Sequence, residues 1–314
     1  MSSIEHKDLF EKYYQSKYDF NTQSLSVNEI REIKKLVREK RVDYNLAPLG
    51  VRVFDWILKE DNNLRFESVA FDSEKIDGML YIPSTGKSKA YIILNSNKPL
   101  INQIFTAAHE YYHYIKDYKK FQEMPYICDF SMLKDVNEKK ACRFAAELLL
   151  PEDALYREVQ YYLMTMEANS INDVGFGELS ALIIFLTIKY QMPLKAVIYR
   201  FQEENYLKNI NDFIENYEFI KKVLKGIKIY EKQVDMLYST ENDDVSSTEL
   251  RYSIYQNMER AFMTGNASKE DVLEDAQVLG LDMKIIEEFL VEEDEQEDDE
   301  DDEELFSMIN AKRG

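Results

Sequence analysis

Two stretches of helical periodicity each carry ionisable side chains on or beside the stripe that must face a core, and any fold for this chain has to accommodate them. In the first, from a cap at Asn97 through Pro99 to about Asp117, the apolar stripe is Ile101, Ile104, Phe105, Ala108, Tyr112 and Ile115. His109 and His113 fall at roughly 80° and 120° from its centre, at about 100° per residue, which has them bordering the core. In the second, roughly Val136 to Leu150 and stopped by Pro151, Glu138 shares a stripe with Ala141, Cys142, Ala145 and Leu149. That pattern points a carboxylate inward, which is costly unless something neutralises it. The two alanines let this helix approach its neighbour closely. Glu147, nine residues on and about 180° round, is expected to face solvent.

His109-Glu110-Tyr111-Tyr112-His113 is an H-E-x-x-H sequence inside the first of these helices. Four residues advance a helix by about 400°, so the two imidazoles lie only about 40° apart and one turn distant, and both can reach one Zn²⁺ ion. Glu110 then sits beside the metal, where it can take a proton from a bound water and pass it to a leaving amine. A third protein ligand is needed. His6 is the only other histidine, and the position six residues after His113 is Lys119, which closes the metzincin arrangement. Glu138 is the better candidate, with Asp117 and Asp135 as weaker substitutes. The competing reading of Glu138 is a first-turn acid that complements the helix dipole.

The remaining sequence frames this pair of helices. Of 314 residues, 39 are Lys or Arg and 59 Asp or Glu, a net charge of −20. Residues 291–314 hold −10 and residues 241–290 hold −8, so the acidity belongs to the C-terminal quarter. Direct binding of nucleic acid is not expected from such a chain. The N-terminus has no apolar targeting region and the longest strongly apolar run, Ala181 to Leu186, cannot span a bilayer, so no membrane association is expected. The only cysteines, Cys128 and Cys142, form neither a disulfide framework nor a zinc ribbon, which suits a reducing cytoplasm.

The expected fold class is α+β and mainly helical. Residues 1–49 read as an N-terminal helical segment, with a capping box at Ser26 and Glu29 opening a helix to about Arg41. Three β-rich runs follow, near Leu64 to Phe71, Gly78 to Ile82 and Ala90 to Leu94, with Asp77-Gly78 as one turn signal, and a small antiparallel sheet is the economical reading. These runs and the two helices above open a core at 50–207. A helical extension at 208–238 includes a helix expected from Ile210 to about Tyr238. A polar linker then leads to a C-terminal helical domain at 248–290, with helices at Thr248 to Met263 and Ser268 to Leu290. Within the acidic tail at 291–314, every residue from Glu292 to Glu304 except Gln296 is acidic, which reads as disordered, solvated coil.

Two blocks, IFTAAHEYYH from Ile104 to His113 and EKKACRFAAELLLP from Glu138 to Pro151, resemble the ImmA/IrrE metallopeptidases. The resemblance extends with decreasing clarity from about Gly50 to Leu207. It implies a gluzincin-like minimal fold with a short antiparallel sheet beside the zinc helices. It also implies His109, His113 and Glu138 as zinc ligands and Glu110 as catalytic base. The partner it implies is a protein substrate, a helix-turn-helix repressor cleaved to release transcription in a mobile element or stress response; other members are similar to toxins or defence components.

The chain departs from the family pattern at Tyr112, where a Gly usually precedes the second His, and at Cys142, where an Asn commonly follows the third ligand by four residues. Thiols are weak hydrogen-bond partners, so lower activity with retained metal is the expected consequence. Tyr111, Tyr114, Tyr118 and Tyr126 are candidates for stabilising an oxyanion or simply for packing. Cys128 reads as a buried apolar residue or an inhibitory ligand. The segment Ala181 to Leu207 resembles the helix-turn-helix-like region that follows the peptidase core, and lacks the basic surface that DNA binding requires. A second reading of the whole chain is a non-enzymatic regulator, or a toxin or antiphage component, whose acidic C-terminal region binds a basic protein.

Overall fold

The computed structural model describes residues 22, 25–71, 76–82, 89–123, 135–238, 240, 248–278, 281 and 283–290. His6, Tyr126, Cys128, nearly all of the polar linker and the acidic tail lie outside the described residues. Helix α1 (Val27–Lys40) begins with the expected capping box. The Ser26 hydroxyl accepts from the Glu29 amide at 3.3 Å and the Glu29 carboxylate accepts from the Ser26 amide at 2.8 Å, satisfying donors that a helix start leaves free. Its stripe buries Ile33 and Val37. Helix α2 (Val53–Glu60), an element beyond those expected from the sequence, carries Trp56 and Ile57 into the core.

The sheet contains β1 (Leu64–Val69), β2 (Gly78–Tyr81) and β3 (Ala90–Asn95) in the order β1-β3-β2. It is mixed, where an antiparallel sheet was expected. Strand β1 runs parallel to β3, with Leu64 opposite Ala90, and only β2 is antiparallel to β3, with Gly78 opposite Leu94. The strands reverse direction along the chain, so a third strand inserted between the first two must lie parallel to the first. Hydrophobic alternation specifies the face each residue takes and is silent on the edge a strand joins. Gly78 is likewise the first residue of a strand and not a turn. A Cβ there would lie 2.5 Å from the Ile93 carbonyl oxygen and 2.7 Å from Thr106 Cγ2, so glycine permits a close approach to the neighbouring helix.

That neighbour is α3 (Leu100–Glu123), which packs on β2, β3 and α4 (Asp135–Leu149). Helix α3 starts at Pro99 without help from Asn97, whose side-chain amide donates instead to the Phe71 carbonyl at 3.2 Å. Helices α5 (Glu152–Thr165), α6 (Phe176–Tyr190) and α7 (Leu194–Glu203) follow, and α6 stops at Gln191 in a left-handed conformation, φ 52°. Both α6 and α7 put apolar side chains into the core, including Leu182, Leu186, Val197 and Phe201, so the helix-turn-helix-like segment serves packing. Among the described residues no single helix is long and apolar enough to cross a membrane; α6 and α7 pass such a test only together, across a bend of 113°.

The expected helix from Ile210 to Tyr238 is three, α8 (Asn211–Glu215), α9 (Tyr217–Lys225) and α10 (Glu231–Tyr238), with breaks near Asn216 and Gly226. The C-terminal helices are α11 (Thr248–Met263), α12 (Lys269–Val278) and α13 (Met283–Phe289). Ser268 and Asp271 cap α12 reciprocally, at 2.9 and 3.2 Å. Alternation along the strands divides the core in two. Leu80, Ile92 and Leu94 join the core that contains α3 and α4, whereas Met79, Tyr81, Tyr91 and Ile93 pack with Ile254, Met258, Val272 and Ile286 of the C-terminal helices. Both faces of the sheet are therefore covered.

Candidate metal centre

The polar side chains of the H-E-x-x-H helix lie deeper than helical-wheel geometry suggests. His109 is 0% exposed and His113 2%, while Glu110 and Glu138 are 3% and 4% exposed. Their flank of α3 borders the core only in an isolated helix. In the folded chain α4 closes over it, and the small side chains at Ala141 and Ala145, both fully buried, permit that approach.

One carboxylate meets both imidazoles. Glu138 Oε2 lies 3.1 Å from His109 Nε2, Glu138 Oε1 lies 3.1 Å from His113 Nε2, and the two Nε2 atoms are 3.2 Å apart. A tetrahedral zinc site with bonds of about 2.1 Å spaces its donors about 3.4 Å apart, so the three groups sit at nearly the separation such an ion requires. The donor chemistry agrees, with two imidazole nitrogens and a carboxylate from two helices forming a buried group that could hold a metal ion. The side chains of Asp117 and Asp135 lie outside the described residues.

The surroundings shift Glu138 and His109 in the directions that suit a cation. Burial pushes the Glu138 carboxyl up, but His113 and His109 outweigh it and hold the group well below the usual carboxylate range. Burial pulls His109 below the ordinary imidazole value, with Glu138 opposing. A charged carboxylate and a neutral ring are the states that bind a cation.

The residues around the centre answer several expectations. Tyr112, in place of the usual glycine, turns its ring onto Phe144, with centroids 5.3 Å apart, and lines a small cavity with Ile33 and Leu36 of α1. Cys142 places Sγ 3.6 Å from His109 Nδ1, one turn along α4 from Glu138. Tyr111 packs edge-on against Trp56 at 5.5 Å, and the Tyr114 hydroxyl donates to Asp61 at 2.7 Å, so the described contacts of these two tyrosines are structural. The Tyr118 side chain lies outside the described residues.

Glu147 departs furthest from its expected place. It is 4% exposed and belongs to a buried ionic cluster joining α1, α4 and α7. Arg200 donates to Glu147 at 3.0 Å, to Glu203 at 2.7 Å and to Glu204 at 2.8 Å. Arg143 reaches Glu203 at 2.8 Å and Glu204 at 2.5 Å, and Lys34 reaches Glu204 at 2.8 Å. The i,i+4 pairs Arg143–Glu147 and Arg200–Glu204 were a signal available in the sequence, and they would have flagged paired charges able to enter a core together.

The comparisons with known proteins bear on the same helices. Residues 59–202 match the Peptidase_M78 family model, described as an IrrE N-terminal-like domain, and that span includes α3, α4 and the buried His-His-Glu group. A comparison with curated proteins returns no match. Residues 59–202 thus match an IrrE N-terminal-like domain of the Peptidase_M78 family, which is consistent with an ImmA/IrrE-type metallopeptidase and supports a protease-like function.

Proposed function

We propose that the chain is a zinc-dependent endopeptidase, acting in the cytoplasm, that cuts one specific regulatory protein, a helix-turn-helix repressor of a mobile element or stress response. The observation that carries the reading is the convergence of His109, His113 and Glu138 at 3.1 to 3.2 Å inside a peptidase-family domain. The repressor as substrate draws on the resemblance of the two motif blocks. The net −18 of residues 241–314 also suits a basic DNA-binding partner.

His109, His113 and Glu138 would hold Zn²⁺. Bound there, the ion would polarise a peptide carbonyl and acidify a water. Glu110 shares a helical turn with His109 and is near enough to act on it electrostatically. Its carboxylate takes the proton of the attacking water and returns it to the leaving amine nitrogen. The 3% exposure of Glu110 keeps bulk water from that proton, and the apolar surroundings strengthen each charge interaction.

The test compares new protein N-termini, by mass spectrometry, in cells expressing the parent or Glu110→Gln. One or a few cuts, in a helix-turn-helix protein and only with the parent, are expected. Equal cutting by both chains would exclude Glu110 as the base, and no parent-specific cut would exclude the protease reading.

A further inference from the structure

We infer that Cys142 is a positioning residue for His109, its sulfur accepting the Nδ1–H of the ring whose Nε2 faces Glu138 and His113. The inference rests on the metal-site reading above and deepens it. A single turn of α4 touches both edges of the His109 ring, with Glu138 Oε2 3.1 Å from Nε2 and Cys142 Sγ 3.6 Å from Nδ1, within reach of a hydrogen bond to sulfur. Residues four apart lie on one helix face, so the clamp follows from the spacing of Glu138 and Cys142, and fully buried Ala141 and Ala145 let that face close on α3.

The direction of the bond matters. A neutral imidazole carries one proton, and a ring that ligates through Nε2 must carry it on Nδ1. A thiol donating to Nδ1 would leave the proton on Nε2, in the way of a cation. Sulfur as acceptor therefore selects the ligating tautomer as well as the ring plane. Cys142 is 1% exposed, so water does not readily replace it in this role.

The experiment titrates Co²⁺, with Zn²⁺ in competition, into the full chain and its Cys142→Ala and Cys142→Ser variants, reading the visible cobalt spectrum. The parent should bind one ion. Cys142→Ala should weaken binding roughly 10- to 100-fold, the usual range for loss of a group that orients a ligand, and shift the cobalt bands. Cys142→Ser, similar in size and still polar, should recover part of the affinity. Failure of the parent to bind cobalt or zinc would sink the metal-site reading itself. A parent that binds, with an Ala variant of equal affinity and spectrum, would overturn only the role of Cys142. Equal weakening in both variants with unchanged bands would assign the loss to packing and also overturn it. An intense sulfur-to-cobalt charge-transfer band in the parent would make Cys142 a ligand, with the same consequence.

Discussion

Arg200, fully buried on α7, donates to Glu147 of α4 at 3.0 Å across 53 residues of sequence, and so ties the helix that carries Glu138 to the helix pair behind it. Burial works against the Arg200 charge, but Glu147, Glu203 and Glu204 outweigh it and hold its pKa above the usual arginine value. Removing one partner leaves a charge buried without its counter-ion. Glu147→Gln is expected to cost about 3–5 kcal/mol, measured as a lower urea midpoint with an unchanged slope. A loss below about 1 kcal/mol would place the network among ion pairs that contribute little.

The same cluster sets an acid limit. Burial pushes the Glu204 carboxyl up, but Arg200, Arg143 and Lys34 outweigh this and bring it down to about 2 from 4.5. A group whose pKa is lower in the folded state stabilises the fold above its unfolded value and loses that contribution as pH falls toward the folded one. Glu204 should therefore supply about 3 kcal/mol at neutral pH, lost between about pH 4.5 and 2. Urea unfolding at several pH values should show this fall in the parent. Glu204→Gln should be less stable at pH 7 and show a flatter profile below pH 4.5.

Close approach of α3 and α4 depends on small side chains. Ala145→Leu adds three carbons at a fully buried position facing α3, and is expected to cost about 1–3 kcal/mol through overpacking. It should also weaken zinc binding, because moving α4 outward carries Glu138 from the imidazoles. Calorimetric zinc titration beside a thermal melt tests both effects, and a destabilised variant with parental zinc affinity would separate the packing from the site.

Much of the candidate site was legible because its spacing is local. The H-E-x-x-H sequence fixes the relation of His109 to His113 through helix geometry alone, and the stripe of Glu138, Ala141 and Ala145 turns the third donor toward the core. What sequence periodicity could not supply was pairing between distant elements. It assigned Glu147 to solvent because a helical wheel knows nothing of Arg200, 53 residues away. It left the two histidines at the border of the core because α4 completes that core. The strand order is hidden from the sequence for the same reason, since face alternation in β1 and β3 is compatible with either order. The caps at Ser26 and Ser268 hold because their bonds span only three residues, whereas Asn97 is drawn to the Phe71 carbonyl, 26 residues away.

If two imidazoles and one carboxylate form a single metal site, zinc titration of the full chain reads it out without reference to any substrate. The parent should bind one Zn²⁺ per chain, and His113→Ala and Glu138→Ala should each weaken binding by at least about 100-fold while keeping their helical circular dichroism. Absence of zinc binding in the parent, or parental affinity in both variants, would contradict it.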